Sequence, residues 1–285
     1  SKTTDSLEQF KYAIAAFIST YAVDLNPEKP FNPILGETFQ GIIGGVPFYA
    51  EQISHHPPVC AFQMVGEEYT LHGLKEFNAS LSANSVKTKT FGYPCITFKN
   101  TGNCIQAQYP SSVMHGTAFG KRTLTMNGTF YFFDFKNKFY SEVDFDPSDS
   151  IFKKRTHTKD YFSGKIWRVT EKFLEKVKND LKIHREIEIK FKEKEHALEE
   201  LAFVEGCWLE YLNINEKNFW TFGKPWPYEL QYFDNPLPSD SNFRLDILHL
   251  RNGDEVKAQE CKVALEEQQR KDRKLREQKK SKRQK

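Results

Sequence analysis

The chain has no hydrophobic run long enough to cross a membrane. No stretch of its 285 residues approaches the roughly 18 uninterrupted apolar residues that mark a transmembrane helix, and no secretory signal opens the sequence. Cysteine is scarce as well, with five residues and no Cys-x-x-Cys pair. Because disulfides belong mainly to oxidising compartments, these absences predict a cytoplasmic protein whose cysteines are reduced thiols.

The motifs of several enzyme classes are also missing. The sequence has no Gly-x-Ser-x-Gly elbow, which would expose a nucleophilic serine. It has no Cys-x5-Arg loop of the kind that hydrolyses phosphate esters, and no carboxylate pair at the spacing of metal ligands. We therefore expect a protein that is not an enzyme, with no catalytic residue, no metal ion and no cofactor.

Aromatic residues, by contrast, are abundant, with 25 Phe and 12 Tyr. Together with frequent β-branched residues they favour a mainly β (α+β) fold. Residues 39–146 have the pattern of successive strands, with turns at Gly44-Gly45 and at an Asn127-Gly128 hairpin. Strands at this spacing without intervening helices predict an antiparallel meander or barrel. A large barrel of this kind can enclose an elongated apolar ligand.

Helical periodicity appears at the start of this strand-rich chain and again in an internal charged segment. Apolar residues at helical spacing predict a helix over 7–25, with Asp5 or Ser6 as its N-cap. A charged segment at 169–202 begins as a helix and then alternates like a strand at 187–192. We expect a single domain, 1–285, that contains both segments.

The rest of that domain follows from the same patterns. Barrel strands are expected over 26–168, further strands that complete the barrel over 203–253, and a basic C-terminal helix over 255–285. From Leu265 to Lys285 there are ten Lys or Arg and four Asp or Glu. This basic segment is either a solvated helix surface or a site of attraction for anionic lipid headgroups. No nucleic-acid-binding motif accompanies it.

The most informative stretch is Glu51–Pro58, which reads Glu-Gln-Ile-Ser-His-His-Pro-Pro. The two prolines restrict the backbone, so we expect His55 and His56 to lie on a stiff, extended segment. Imidazoles that donate N–H groups and titrate near neutral pH suit an anion such as a phosphate. The residues alone leave three other uses open: a metal site, a catalytic base beside Ser54, and a purely structural turn.

Two further segments present cations in a fixed setting. In Lys29–Glu37, two prolines bracket Asn32, and Lys29 can meet a phosphate as a point charge, unless the loop is only structural. Near the C-terminus Lys262, Glu266 and Arg270 are four residues apart, which places them on one helical face. Glu266 can orient both cations towards an anion there, or the three can form an ordinary exposed ion-pair ladder.

These three segments resemble, in order and spacing, the signature motifs of the oxysterol-binding-protein-related lipid-transfer domains. The first matches Lys-Pro-Phe-Asn-Pro-x-Leu-Gly-Glu, and the second matches Glu-Gln-Val/Ile-Ser-His-His-Pro-Pro. The third follows a Ser-Asp-Ser and a Gly-Asp element and matches Lys-x-x-x-Glu-x-x-x-Arg. The resemblance extends from about Leu7 to Arg276.

The resemblance implies a large incomplete antiparallel β-barrel whose tunnel holds one lipid, with a basic rim that binds phosphatidylinositol 4-phosphate. Carried over by matching position, the headgroup-binding residues are Lys29, Asn32, His55, His56, Lys262, Glu266 and Arg270. It further implies that this lipid is exchanged between membranes for a second one, which we expect to be a sterol. A phosphatidylserine carrier, and a sensor or scaffold that moves no lipid, are the alternatives.

Two features depart from the family pattern. From the resemblance we expect the N-terminal lid and the helical turns before Leu7 to be missing, and residues 170–200 to be longer than the usual connection. The resemblance implies a cytoplasmic monomer that contacts anionic membranes peripherally, at organelles or at membrane contact sites. It implies lipid partners and no nucleic acid.

Overall fold

The structure is a computed structural model that describes residues 2–23, 31–145, 160–183, 186–223 and 230–283. The helices in these ranges are α1 (Ser6–Ser19), α2 (Glu171–Ile183), α3 (Glu193–His196), α4 (Leu245–Arg251) and α5 (Glu255–Arg283). The strands are β1 (Thr38–Ile43), β2 (Val46–His55), β3 (Pro58–Val65), β4 (Tyr69–Ser82), β5 (Ser85–Phe91), β6 (Cys95–Phe98), β7 (Cys104–Gln108), β8 (Ser111–His115), β9 (Thr123–Asp134), β10 (Phe139–Phe145), β11 (Tyr161–Val169), β12 (Ala197–Cys207), β13 (Tyr211–Ile214), β14 (Lys217–Thr221) and β15 (Leu230–Tyr232). Neighbouring strands pair antiparallel, so the prediction of a mainly antiparallel β fold is confirmed.

The chain divides into two compact units. The large unit consists of Ser1–Pro27 and Gln63–Tyr228, and the small unit consists of Glu28–Phe62 and Glu229–Lys285. In the large unit the strand order is β14-β13-β12-β11-β10-β9-β7-β6-β4, with β5 and β8 paired between β4 and β9. In the small unit β15, β1 and β2 lie side by side. The assignment of the whole chain as one domain stays a prediction.

Helix α1 begins where its sequence supplies an N-cap. The carboxylate of Asp5 accepts hydrogen bonds from the backbone N–H groups of Leu7 and Glu8 at 2.8 and 2.9 Å, which satisfies two free donors of the first turn. The helix ends at Ser19 and continues as a 3-10 turn to Val23. Its apolar face packs on the sheet, where Phe10 meets Phe139 with ring centroids 5.7 Å apart. Each such side chain contributes about 1.5–3 kcal/mol through burial.

Strand β9 separates two cores in the large unit. Side chains alternate between the two faces of a strand, and here both faces are apolar. Phe130 and Phe132 belong to the core that contains α1. Phe133 and Tyr131 belong to the other core, together with Trp167 of β11. The aromatic run in β9 therefore reflects a strand that is buried on both faces.

The charged segment after β11 covers the second core. Helix α2 buries Phe173, Leu174 and Val177 there, and β12 then begins at Ala197. The prediction of a strand at 187–192 is wrong: these residues belong to no strand. Their alternating apolar side chains pack on the second core, so the period-2 pattern reflects an extended segment held by side-chain packing, without a partner strand among the described residues.

The predicted Asn127-Gly128 hairpin is also wrong, because both residues lie inside β9. Gly128 has a positive φ of 86°, a conformation that glycine adopts at little cost. The strand changes neighbours close to this point. Its first half pairs with β8, up to Asn127 opposite Ser111, and its second half pairs with β7, from Tyr131 opposite Gln108. The Asn-Gly pair therefore marks an irregularity within one strand.

The prediction of reduced cysteines is wrong for one pair. Cys95 of β6 and Cys104 of β7 form a disulfide within the large unit. The two strands are antiparallel neighbours, which brings residues nine apart in sequence together. Cys60, Cys207 and Cys261 lie outside this disulfide.

Candidate functional site

The small unit is built on the hairpin of β1 and β2. Gly44 and Gly45 form its turn with positive φ angles of 57° and 79°, which glycine tolerates well. The turn predicted at this position is confirmed. The register of β1 with β2 continues to Thr38 opposite Glu51, so the far end of β2, with His55, lies beyond the part of β2 that pairs with β1.

Asp240 attaches the segment before α4 to β1. Asp240 is 1% exposed, and its carboxylate accepts hydrogen bonds from the backbone N–H groups of Gln40 at 2.8 Å and of Asn242 at 2.9 Å. The N–H of Thr38 donates to the carbonyl of Ser239 at 3.0 Å. Because a buried carboxylate needs such partners, the Ser-Asp-Ser element has a structural role in orienting the C-terminal segment.

Arg244 is the centre of a buried ion cluster. Its Nε and Nη2 donate to the Asp246 carboxylate at 3.0 and 2.6 Å, and its Nη1 donates to Glu37 at 2.8 Å. Nη1 also donates to the backbone carbonyl of Asn32 at 2.9 Å. Burial disfavours the cation, but the two carboxylates outweigh it and raise the pKa of Arg244. The cluster thereby fixes the loop that carries Asn32.

The two histidines lie at a hairpin corner. His55 ends β2, His56 and Pro57 form the turn, and Pro58 begins β3. The prediction of an extended segment is therefore wrong at His56, which lies in a turn and precedes a cis peptide bond. The two imidazole rings meet edge to face, with centroids 4.7 Å apart. The corner presents both rings side by side.

The surroundings of His55 disfavour its charged form. Burial is the main cause of its lowered pKa, and the nearby charges of His56 and Arg273 act in the same direction. A backbone hydrogen bond with Pro33 and the charge of Glu266 oppose the shift. Among the described residues, no group bonds the buried Nδ1 atom of His55. The ring of His55 therefore keeps one buried nitrogen without a hydrogen-bond partner among the described residues.

Helix α5 carries the predicted ladder. Lys262 Nζ lies 3.8 Å from one oxygen of Glu266, and Arg270 Nη2 lies 3.3 Å from the other. The ammonium of Lys262 also sits 5.2 Å from the ring centroid of Phe31, within range of a cation–π interaction. Glu266 thus orients both cations, as the spacing of four predicts.

The start of α5 explains the Gly-Asp element. Gly253, with a φ of 76°, ends α4 in the left-handed conformation that is common at helix C-termini. Asp254 then accepts a hydrogen bond from the backbone N–H of Lys257 at 3.1 Å, which caps α5. Asn252 completes the turn by donating its N–H to the carbonyls of Leu248 and His249 at 3.2 Å.

Residues from the loop, the hairpin corner and α5 line one cavity of about 980 Å³ in the small unit. The sequence-predicted site residues that line it are Asn32, His55, His56, Lys262, Glu266 and Arg270. Lys29 lies outside the described residues. Three segments that are far apart in sequence are therefore brought to one concave surface, with polar and apolar groups both present.

Sequence reasoning missed four cations of this cavity. Arg244, Arg273, Arg276 and Lys279 also line it. Repeated steps of three residues beyond Arg270 along the same helix reach Arg273, Arg276 and Lys279. The signal for these three cations was therefore present in the sequence. Arg273 is paired with Glu277 at 2.9 Å, whereas no described residue forms an ion pair with Arg276 or Lys279.

The described residues contain no group of three or more His, Cys, Asp or Glu that could hold a metal ion. Within the same ranges no helix has the length and apolar character needed to span a bilayer.

Comparison with known protein families gives a match over the full chain. The model of the family described as Oxysterol-binding protein matches residues 1–285. The chain belongs to the oxysterol-binding protein family. This agrees with the resemblance of its three signature segments to that family.

Curated family members show similar sequences. Oxysterol-binding protein 9 of Dictyostelium discoideum is 30% identical over 286 aligned residues, which cover 96% of this chain and 63% of that protein. Oxysterol-binding protein-related protein 3B of Arabidopsis thaliana is 34% identical over 121 residues, 42% of this chain and 26% of that protein. The chain therefore spans less than two thirds of the length of these family members.

Solved structures of the family share the fold. The Osh1 ORD domain in complex with cholesterol superposes with a TM-score of 0.72 at 20% identity, covering 98% of this chain and 69% of that one. The Osh3 ORD of Saccharomyces cerevisiae in complex with PI(4)P gives a TM-score of 0.65 at 21% identity, covering 93% of this chain and 68% of that one. At these identities the comparison establishes the fold.

Proposed function

We propose that the protein binds phosphatidylinositol 4-phosphate with its headgroup in the cavity of the small unit. It exchanges this lipid for a second one, a sterol, between two membranes. The observation that carries the proposal is the convergence of all six described signature residues on one cavity. The exchange needs no covalent step, so the proposal includes no catalytic residue.

The chemistry of the cavity suits a phosphate monoester. Five Lys or Arg side chains of α5 line it, against two carboxylates, Glu266 and Glu277. A phosphate monoester carries about −1.5 to −2 charges near neutral pH, which this surplus of cations can balance. Charge-assisted hydrogen bonds from guanidinium and ammonium groups are among the strongest available to a phosphate. His55 and His56 line the same cavity and add imidazole groups to it.

The second ligand is proposed from the structural relatives. The Osh1 ORD domain was solved with cholesterol and with ergosterol, which favours a sterol for this chain too. A sterol has no phosphate and would not use the cationic cavity, so the two lipids would compete for the same apolar space without sharing polar contacts. Phosphatidylserine is the alternative second lipid. In the proposed role the protein acts as a cytoplasmic monomer in peripheral contact with anionic membranes.

A liposome extraction assay tests the headgroup site. The His55→Ala/His56→Ala double variant should extract phosphatidylinositol 4-phosphate at least tenfold less, because a charge-assisted hydrogen bond contributes about 1.5–3 kcal/mol. His72→Ala/His115→Ala, which removes two histidines of the large unit, is the matched control and should extract normally. Unchanged uptake by the His55/His56 variant would contradict the assignment.

Helix α5 offers a finer control. Arg270 lines the cavity, whereas its neighbour Lys271 is exposed and does not. Arg270→Ala should weaken headgroup binding by about tenfold, and Lys271→Ala should change it less than twofold. Equal losses in both variants would indicate a general electrostatic attraction and would contradict a specific cavity.

Transfer between two vesicle populations separates an exchanger from a sensor. Donor vesicles carry phosphatidylinositol 4-phosphate and acceptor vesicles carry cholesterol or phosphatidylserine. An exchanger moves both lipids in opposite directions and moves each faster when the other is present. Stoichiometric binding without net movement would establish the sensor or scaffold alternative.

A further inference from the structure

A tip of the large unit, formed by residues 81–85 and 116–122, exposes apolar side chains that the fold does not use. Leu81 is 83% exposed and Phe119 is 70% exposed. Leu81 lies at the end of β4, where residues 77–82 are all exposed. Phe119 lies in the connection between β8 and β9. Exposing two large apolar side chains to water is unfavourable, and a partner that covered them would lower the free energy.

The tip is held in one conformation by Asn84. Its side-chain oxygen accepts the backbone N–H groups of Ala118 and Phe119 at 2.9 and 3.0 Å, and its Nδ2 donates to the carbonyl of Phe119 at 3.1 Å. Its own backbone carbonyl accepts the N–H of Gly116 at 3.0 Å. One asparagine therefore joins the β4–β5 turn to the β8–β9 loop and fixes where Phe119 is presented.

Gly116 closes the loop from the other side. A Cβ atom added at this position would lie 2.3 Å from the carbonyl oxygen of Lys121, so the two ends of the loop approach as closely as a glycine permits. Such a preorganised loop has little conformational entropy left to lose when a partner binds.

The chain segments that form the tip carry charges of one sign. Between Glu76 and Asp134 the sequence contains five Lys or Arg and no acidic residue. Lys89 is paired with Glu186 at 2.9 Å. Lys121 and Arg122, in the tip, are exposed, and no described residue forms an ion pair with either. These two cations lie two and three residues after Phe119 in the sequence.

We propose that this tip docks the protein on anionic lipid bilayers, with Leu81 and Phe119 entering the interfacial layer and Lys121 and Arg122 contacting the headgroups. Apolar and aromatic side chains flanked by cations are the chemistry of interfacial membrane binding. Each cation near an anionic surface adds to the attraction. The same tip of a second copy is a poor partner, because a contact between two tips would bring positive charges together. The proposal is independent of the headgroup cavity, which lies in the other unit.

Cosedimentation with vesicles tests the tip. The wild-type protein should bind vesicles of phosphatidylcholine mixed with phosphatidylserine more tightly than vesicles of phosphatidylcholine alone. Leu81→Ser/Phe119→Ser should bind the mixed vesicles at least about tenfold more weakly, given the free energy of burying such side chains. Lys121→Glu/Arg122→Glu should lose the preference for phosphatidylserine. Ile183→Ser/Leu198→Ser, which removes two other exposed apolar residues of the large unit, is the control and should bind as the wild type does.

A spectroscopic variant makes the test independent of affinity. The emission of Phe119→Trp is measured as the difference from the wild-type protein, which has four Trp of its own. This difference emission should shift to the blue on mixed vesicles and should be quenched by brominated lipid. An unshifted, unquenched emission while the protein is bound would overturn the proposal, since docking would then occur elsewhere, for example through α5.

The proposal would also be overturned if the serine and glutamate variants bound vesicles normally but lost an association with RNA or with a second copy. Soluble headgroup binding should persist in every tip variant, so failure of the tip and failure of the cavity are distinguishable.

Discussion

The large unit and the small unit are each stabilised internally by a different kind of interaction. In the large unit, buried aromatic and aliphatic side chains from α1 and the sheet form one core, and α2 closes a second. In the small unit, the only fully buried apolar side chain among the described residues is that of Ala258. The buried polar residues of the small unit, among those described, are Glu37, Gln52, Asp240, Arg244 and Asp246. The small unit is thus organised by ion pairs and hydrogen bonds.

This difference follows from the cation-lined cavity that the small unit contains. A cavity lined with cations cannot at the same time be an apolar core, because an unpaired buried charge is costly. The small unit therefore positions its loop, hairpin and helix through a directional polar network. Hydrogen bonds and ion pairs specify geometry well but add little net stability. The large unit supplies ordinary hydrophobic stability.

The largest expected effect comes from removing the centre of the polar network. Arg244→Met leaves Glu37 and Asp246 buried without their cation, which should destabilise the small unit by about 3–5 kcal/mol. Headgroup binding should be lost as well, since the loop with Asn32 is no longer fixed. Hydrogen exchange resolved by segment measures both effects, and protection should fall in β1 and α4 but not in β9.

The matched control is an exposed ion pair of the large unit. Lys165→Ala removes the pair with Glu200, whose atoms are 2.7 Å apart at the surface. It should cost about 0–1 kcal/mol. If Arg244→Met were equally mild, the small unit would have another source of stability, and the contrast between the two units would fail.

A second variant tests the apolar side of the contrast. Phe173→Ala removes the α2 side chain that packs edge to face on Tyr140, at 5.0 Å between ring centroids. We expect a loss of about 3 kcal/mol in the free energy of unfolding, at the lower end for a buried aromatic residue. Urea denaturation measures it. Headgroup binding should be unchanged, because the small unit does not use this core; a parallel loss of binding would contradict that separation.

The features predicted correctly from sequence are those set by local geometry. The spacing of Lys262, Glu266 and Arg270 places them on one helical face whatever the rest of the fold does. Likewise, Gly44 and Gly45 form their turn because their own backbones permit it.

What could not be predicted depends on distant partners. Arg244 is a surface residue or a buried one according to whether Glu37, 207 residues away in sequence, lies beside it. Asn127 and Gly128 favour a hairpin when only their neighbours are considered, yet the strands on either side of β9 extend it through them. Residues 187–192 alternate because they pack on a core whose buried members come from β9, β10, β11 and α2. In each case the pattern is present in the sequence, but partners distant in sequence determine the structure that it adopts.

The smallest expected effects are pH dependences, which compare one histidine in each unit. Burial is the main cause of the lowered pKa of His196, whose Nδ1 accepts the backbone N–H of Lys192 at 3.0 Å. A protonated ring cannot accept that bond. The stabilising contribution of His196 is therefore complete above the ordinary histidine pKa and is lost as the pH falls through the lowered one. Lys176 and Lys192 favour the neutral ring, and Glu195 opposes them.

His55 should couple to the ligand as well as to folding. Its pKa is also lowered in the free protein, chiefly by burial, and a bound phosphate dianion would raise it, so binding takes up a proton. Affinity for a short-chain phosphatidylinositol 4-phosphate should then rise as the pH falls from about 7.5 to about 6, by at most tenfold per pH unit. The second ionisation of the phosphate, with a pKa of about 6, acts in the opposite direction and is common to all variants.

Calorimetric titration measures the affinity of each variant as a function of pH. The affinity of His55→Gln should therefore have a reversed or flat pH dependence. His196→Phe should keep the pH dependence of the wild-type affinity and should lose only the acid sensitivity of its unfolding. An unchanged profile in His55→Gln would mean that the proton is taken up elsewhere, and the difference between the two histidines would then reflect their burial alone.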